Sequence, residues 1–287
     1  MDLPNLNAEE IEQRLERLRA RIEPYRRVAV AFSAGVDSTV VLAVASRLRG
    51  ADTVALTAVS PSLPRAELEE AVALARRLGA RLVLLESHEL EDPRYAENSD
   101  MRCYFCKHTE YGQFSEWIAQ NGFDVLLDGT NRDDTGDFRP GRKAAREYGV
   151  VSPLLEADLG KAEVRALAFS LDLPNWNKPA MACLSSRVPH GTPVTAALLG
   201  RIERAEDLLH QLGIAQARVR HHDTVARVEI EPEDFPRLLE TRARVVAGLR
   251  ALGWHHVSLD LDGYRTGSLN EKANEDDGQR QLALHSD

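Results

Sequence analysis

The segment "MACLSSRVPHG", residues 181–191, places a cysteine among serine, arginine, proline and glycine residues. Proline and glycine interrupt regular elements, so the pattern predicts an accessible loop. A cysteine thiolate is a nucleophile, and a neighbouring cation such as Arg187 stabilises the thiolate. Cys183 is therefore a candidate nucleophile for covalent catalysis, the alternative being an inert cysteine buried in a core.

The segment "FSAGVDST", residues 32–39, has the composition of an anion-binding turn. Small residues around Gly35 allow the backbone to curl around an anion, and the free N–H groups at a helix start bind it. Ser33 and Ser38 add hydroxyl donors. Asp37 suits such a turn only if a divalent cation bridges it to phosphate. The segment lacks the sequence of a Walker loop, and its alternative interpretation is an ordinary glycine turn capped by serine.

The Ser-x-Gly-x-Asp-Ser pattern resembles the PP-loop of the N-type ATP pyrophosphatases, which cleave ATP between the α- and β-phosphates and leave AMP on an acceptor. A further segment, "GTNRDD" (129–134), resembles the second nucleotide-side segment of that superfamily, although by itself it also fits a turn after a strand. The resemblance implies ATP and Mg²⁺ as cofactors. The residues that would hold the triphosphate are Ser33, Gly35, Asp37 and Ser38, and those that would border the nucleotide are Gly129, Thr130 and Asn131.

The composition argues against a membrane protein, a secreted disulfide-rich protein and a protein with a broad nucleic-acid surface. The 287 residues, 43% of them hydrophobic, allow a domain of about 180 residues and a smaller one. No apolar run approaches the roughly 20 residues of a membrane span, and three cysteines do not suggest a secreted disulfide framework. We therefore expect a cytoplasmic protein. A net charge of −9 argues against a broad nucleic-acid surface, while clustered arginines leave room for small phosphorylated ligands.

The elements that must position these residues alternate between apolar strand-like runs and helical segments. This order predicts an α/β fold with a doubly wound parallel sheet, whose ligand crevice lies at the carboxyl ends of the strands. Four strands are expected near 26–35, 52–60, 81–87 and 123–130. From residue 194 a helix, two strands, one helix over 233–253 and a final strand predict a small α+β domain. The expected organisation is 1–190, 194–270 and an acidic, polar, disordered tail at 271–287.

Four longer segments narrow the resemblance from the PP-loop superfamily to one family within it. They are "CLSSRVPHGTPVT", "DDTGDFRPGRKAAREYGVVSPL", "ARVRHHDTVARVEI" and "LDGYRTGSLNE". Together they resemble the LarE family of ATP-dependent sulfur transferases, over nearly the whole chain. Members convert carboxylates of pyridinium-3,5-biscarboxylic acid mononucleotide to thiocarboxylates for the nickel-pincer cofactor of lactate racemase. The resemblance implies that Cys183 attacks the acyl adenylate. In sacrificial members β-elimination then releases the thiocarboxylate and leaves dehydroalanine.

Arg218 and Arg220 alternate along a predicted strand and so share one face. With Arg187 they could clamp the phosphate of the substrate, or they could form a solvated arginine pair. Glu206 and Glu229 would add a carboxylate or metal site beside them, or simply pair with the arginines.

Cys103 and Cys106 stand in a Cys-x-x-Cys spacing. Zinc would need further ligands, of which His108 is the nearest, and a redox dithiol is another interpretation. Some LarE-like and tRNA-thiolating proteins hold a [4Fe-4S] cluster with three cysteines, and this resemblance favours such a cluster on Cys103, Cys106 and Cys183 over the sacrificial mechanism. The rival functions are a tRNA thiolase and a non-catalytic nucleotide-sensing module. We also expect a homo-oligomer that binds no membrane.

Overall fold

The computed structural model describes residues 6–135, 141–179 and 182–265. The chain divides into two compact units, Met1–Ala182 and Cys183–Asp287. Cys183 therefore belongs to the C-terminal unit, whereas the sequence suggested a boundary between residues 190 and 194. The predicted tail at 271–287 lies outside the described residues.

Four parallel strands form the sheet of the N-terminal unit, in the order β3-β2-β1-β4. From β1 the chain builds one side of the sheet as far as β3, and it then places β4 on the other side of β1. The direction of winding thus reverses between β1 and β4, which is where doubly wound sheets bind ligands beyond the carboxyl ends of their strands. The strands are β1 (Val28–Ala31), β2 (Thr53–Val59), β3 (Arg81–Glu86) and β4 (Val125–Leu127).

Helices cover both faces of this sheet. In β1, Val28 and Val30 face one apolar core and Ala29 faces the other, because successive side chains of a strand point to opposite faces. The predicted doubly wound α/β fold is confirmed. The helices described in this unit are α1 (Ala8–Ile22), α2 (Val36–Arg49), α3 (Arg65–Arg77), α4 (Pro93–Ala96), α5 (Arg102–Asn121), α6 (Gly141–Glu147), α7 (Pro153–Glu156) and α8 (Lys161–Ser170).

The C-terminal unit is a small α+β arrangement around a three-stranded sheet. Its strand order is β5-β6-β7, with β5 and β6 antiparallel and β6 and β7 parallel. Among the described residues of the whole chain, no helix is long and apolar enough to cross a membrane. The elements are α9 (Ala196–Gln211), β5 (Ala217–His222), β6 (Val225–Ile230), α10 (Phe235–Glu240), α11 (Arg242–Ala251) and β7 (His256–Leu259).

The single helix predicted over 233–253 is wrong, because the structure has two helices that meet at Thr241. The Thr241 hydroxyl donates to the carbonyl of Arg237 at 2.8 Å. The Thr241 amide donates to the same carbonyl at 3.1 Å. A threonine hydroxyl that bonds the preceding turn often bends a helix, and apolar periodicity does not report such a bend.

Trp254 anchors the core of the C-terminal unit and is 1% exposed. Its indole Nε1 donates to Nδ1 of His221 at 3.1 Å, so this nitrogen must be unprotonated. Burial, reinforced by the nearby Arg201 guanidinium, holds the pKa of His221 below its ordinary value. The unfolded chain consequently binds a proton at His221 more readily than the folded chain does.

We expect the free energy of unfolding of this unit to be largest above the ordinary histidine pKa of about 6.5 and to decrease as the pH falls below it. Chemical denaturation followed by tryptophan fluorescence at pH 7.5 and pH 5.5 measures the decrease. His221→Gln keeps an acceptor for the indole but does not titrate, so this variant should lose less stability on acidification. Equal pH dependence of both proteins would contradict the assignment.

Candidate functional site

The anion-binding turn predicted at residues 32–39 joins the end of β1 to the start of α2. Gly35 is the N-cap of α2, and no side chain of the described residues caps the helix. The first N–H groups of a helix have no partner within it, and together with the helix dipole they favour an anion. From Val36 to Ala45 every residue of α2 except Asp37 is buried, so the position of this N-terminus is fixed by the core.

The hydroxyl groups of Ser33 and Ser38 converge at this helix start. Their Oγ atoms lie 3.2 Å apart, and the Ser38 hydroxyl also donates to the Gly35 carbonyl at 3.2 Å. The predicted donors therefore lie together, on the two sides of the turn.

The segment after β4 approaches the same helix start through Gly129. A Cβ atom at residue 129 would lie 2.7 Å from the backbone nitrogen of Ser38 and 3.1 Å from Cβ of Asp37. The first contact is shorter than packed atoms tolerate and involves backbone that cannot swing away, and the second is tight. Glycine is thus required at residue 129 because two main-chain segments meet there.

Asn131 and Lys161 both contact the carboxylate of Asp37. The Asn131 amide donates to Oδ1 of Asp37 at 3.2 Å, and the ammonium group of Lys161 forms an ion pair with Oδ2. Lys161 is the first residue of α8, and sequence analysis did not single it out. The pairing spans 124 residues of sequence, so no local pattern indicates it.

The loop that carries Cys183 is a single 3-10 turn over Leu184–Arg187. Cys183 is exposed and its thiol is free, which rules out the alternative of an inert core cysteine. Its backbone carbonyl accepts hydrogen bonds from the Ser186 amide at 2.9 Å and from Nη1 of Arg187 at 3.1 Å. The main chain of the cysteine is therefore held while its thiol remains accessible.

Arg187 is 1% exposed and forms a two-point ion pair with Glu206 of α9. Its Nε and Nη2 atoms donate to the two carboxylate oxygens at 2.9 and 3.0 Å. Oε1 of Glu206 also accepts the backbone amide of Val219 at 2.9 Å. Glu206 thus joins the cysteine loop, α9 and the edge of β5.

Arg220 lies beside this pair and makes a second one. Its Nε and Nη2 atoms each donate to Oε2 of Glu229, at 3.0 and 2.9 Å, and Nη1 donates to the Ser186 carbonyl at 2.6 Å. Arg227 bonds the other oxygen of Glu229 at 2.8 Å. Both predicted glutamates therefore pair with arginines, and both pairs hold the cysteine loop.

Arg218 is 5% exposed and shares its face of β5 with Arg220. Its guanidinium lies over the ring of Tyr264 at 5.3 Å. Burial, followed by the proximity of Arg187, lowers the pKa of Arg218. An anion beside Arg218 would offset both effects.

Cys103 and Cys106 lie in the first turns of α5, where Cys103 is exposed and Cys106 is half-buried. Across the described residues, no three or more His, Cys, Asp or Glu side chains are grouped so that they could hold a metal ion. Cys103 and Cys106 belong to the N-terminal unit and Cys183 to the C-terminal unit, and we derive no chemical step from a three-cysteine cluster.

The sequence matches no family model, but several known proteins resemble it. It is 42% identical over 262 residues to an uncharacterized protein of Synechocystis sp., covering 91% of this chain and 98% of that protein. It is 27% identical over 265 residues to one polypeptide of the glutamine-hydrolyzing GMP synthase of Methanococcus maripaludis, covering 85% of this chain and 79% of that polypeptide.

A third relative is the pyridinium-3,5-bisthiocarboxylic acid mononucleotide synthase of Lactiplantibacillus plantarum. The identity is 39% over 253 residues, which covers 88% of this chain and 92% of the synthase. Coverage of this extent exceeds either compact unit alone, so the likeness extends into both units. The chain belongs to the LarE family.

Proposed function

We propose that this protein is an ATP-dependent sulfur transferase that converts a carboxylate of a pyridinium mononucleotide to a thiocarboxylate, in the biosynthesis of the nickel-pincer cofactor of lactate racemase. The observation that carries the proposal is the convergence of Gly129, Asn131 and Lys161 on Asp37 at the start of α2. The substrate class is taken from the Lactiplantibacillus plantarum synthase.

The first step is activation of the carboxylate. A carboxylate oxygen of the substrate attacks the α-phosphorus of ATP, the bond to the bridging oxygen of the β-phosphate breaks, and pyrophosphate leaves. The N–H groups of α2 and the hydroxyls of Ser33 and Ser38 bind the phosphates. Mg²⁺ bound with ATP would be held through Asp37 and would neutralise phosphate charge. Lys161, which pairs with Asp37 in the protein alone, would then be available to the phosphates.

The second step transfers sulfur. The Cys183 thiolate attacks the acyl carbon, the bond to AMP breaks, and a thioester forms. Removal of the Cα proton of Cys183 then breaks its Cβ–Sγ bond, so that the sulfur leaves as the thiocarboxylate and residue 183 becomes dehydroalanine. Arg187 and Arg220 hold the loop through the main chain of residues 183 and 186, and Arg218 binds the substrate phosphate.

Gly129→Ala should weaken ATP binding, because the new methyl group would push residues 129–131 away from the start of α2. Overpacking of this kind costs about 1–3 kcal/mol, or roughly five- to a hundredfold in the dissociation constant. Calorimetric titration with ATP measures the effect. The matched control is Gly200→Ala, where the nearest atom would lie 3.6 Å from the new Cβ; equal ATP affinity of the two variants would contradict the nucleotide assignment.

Arg218→Ala should raise the KM for the pyridinium mononucleotide much more than the KM for ATP. A charge-assisted hydrogen bond contributes roughly 1.5–3 kcal/mol, which corresponds to about ten- to a hundredfold in affinity. Steady-state assays of pyrophosphate release measure both constants.

Arg227→Ala is the control for loss of charge, since the Arg227 side chain is 34% exposed and contacts Glu229 and Asp260. It should change neither KM substantially. If Arg218→Ala raises both KM values equally, the role of Arg218 is structural.

The sulfur source is tested by intact-protein mass. Transfer from Cys183 should remove the elements of H₂S, about 34 mass units, from each polypeptide after one turnover, a consequence of the elimination that follows thioester formation. AMP and pyrophosphate should appear in equal amounts, and only with substrate present. Cys103→Ala/Cys106→Ala should remain fully active, whereas Cys183→Ala should form no thiocarboxylate.

A cluster-borne sulfide would give different results. Protein purified without oxygen would be brown, each of the three cysteine-to-alanine variants would weaken the colour, and the polypeptide mass would not change during multiple turnovers with added sulfide. Those results would overturn the sacrificial step while leaving the activation step intact. Binding of ATP without pyrophosphate release in the presence of substrate would overturn the enzyme assignment itself.

A further inference from the structure

Asn175 lies directly behind the anion-binding turn, although it is distant in sequence. Its side chain is buried, with 5% of the residue exposed. The amide Nδ2 donates to the carbonyl of Ala34 and to Oγ1 of Thr39, both at 3.0 Å. The two contacts span 141 and 136 residues of sequence, so a residue that follows α8 supports the turn between β1 and α2.

The turn adopts a backbone conformation that needs such support. Ala34 has a φ of 57°, in the left-handed region that residues with a Cβ rarely occupy. Thr39 accepts one hydrogen bond from Asn175 and donates its own to the Gly35 carbonyl at 2.8 Å. Asn175 thus holds the Ala34 carbonyl directly, and through the Thr39 hydroxyl it supports the Gly35 carbonyl, which the Thr39 amide also binds at 3.0 Å.

The held carbonyls determine where the amides point. In a trans peptide the C=O and the following N–H point in opposite directions. Carbonyls bound on the inner side of the turn therefore direct the N–H groups of Gly35 and Val36 to its outer side, where the Gly35 N–H also reaches the exposed Ser33 hydroxyl at 3.4 Å.

The amide oxygen of Asn175 indicates that an asparagine stands here in order to orient the N–H groups of Gly35 and Val36. Its Oδ1 atom is buried and finds no hydrogen-bond partner among the described residues, which is unfavourable. An apolar side chain of similar size would fill the space without this penalty. Packing alone therefore does not account for an asparagine here. The two hydrogen bonds that its amide donates to Ala34 and Thr39 do account for it.

We propose that Asn175 is a positioning residue that holds the 33–36 turn in its anion-binding conformation. The ligand of this turn, ATP, rests on the proposed function; the conformational effect does not. Asn175→Ala should release the Ala34 carbonyl, so that the turn leaves the left-handed conformation in part of the molecules.

The test compares wild-type protein with Asn175→Ala, Ala34→Gly and the double variant. Loss of the donors should raise the ATP dissociation constant roughly tenfold, equivalent to about 1.4 kcal/mol. Glycine at residue 34 adopts positive φ without strain, so the double variant should recover most of the affinity. Leu173→Ala, a 3% exposed residue of the same segment, should lower stability and leave ATP affinity unchanged.

Hydrogen exchange of the ligand-free segment 32–41 gives a readout that does not involve ATP. Exchange should be faster in Asn175→Ala than in wild type, and slower again in the double variant. The inference is overturned if Asn175→Ala binds ATP and exchanges like wild type, or if Ala34→Gly gives no recovery in either measurement. Failure of the wild-type protein to bind ATP, with the exchange pattern as expected, would instead overturn the proposed function alone.

Discussion

The ion pair between Arg187 and Glu206 joins the cysteine loop to the rest of the C-terminal unit. Both side chains are buried, and burial of two charges is favourable only when their geometry is good and further hydrogen bonds satisfy the remaining polar atoms. Here the carboxylate accepts three donors, two from Arg187 and one from the Val219 amide. Because removing one partner of a buried pair costs about 3–5 kcal/mol, the loop, α9 and β5 must keep this arrangement together. The geometry around Cys183 follows from that requirement.

In the N-terminal unit, neutral groups rather than an ion pair hold the turn between β1 and α2. Gly35, the N-cap of α2, leaves the helix without a side-chain cap, as the proposed anion site needs, because a side-chain cap would occupy its N–H groups. The turn is instead fixed from behind by Asn175 and in front by the close approach of Gly129. In both units a buried polar side chain binds a carbonyl oxygen of the segment. Asn175 binds that of Ala34, and Arg187 binds that of Cys183.

Sequence periodicity predicted most elements of the fold, since apolar strands covered by helices on both faces leave a clear pattern. It could not predict the break at Thr241, through which the apolar pattern continues, or the place of Lys161 and Asn175 beside the turn. Those two side chains act across more than a hundred residues of sequence. The motif identified Gly129, but it does not show that residue 129 lies against the backbone of Ser38.

The bonds that hold the cysteine loop in place do not involve the sulfur that Cys183 would lose in the proposed reaction. The bonds from Arg187 and Ser186 go to the carbonyl oxygen of residue 183, and that oxygen survives conversion of cysteine to dehydroalanine. The bond from Arg220 goes to the carbonyl of Ser186 and is equally unaffected. A thiol that was itself part of the packing would leave a cavity and a destabilised loop when its sulfur departed. An exposed thiol on a loop held through its main chain can be consumed without that penalty, so the loop would stay folded if Cys183 gave up its sulfur as proposed.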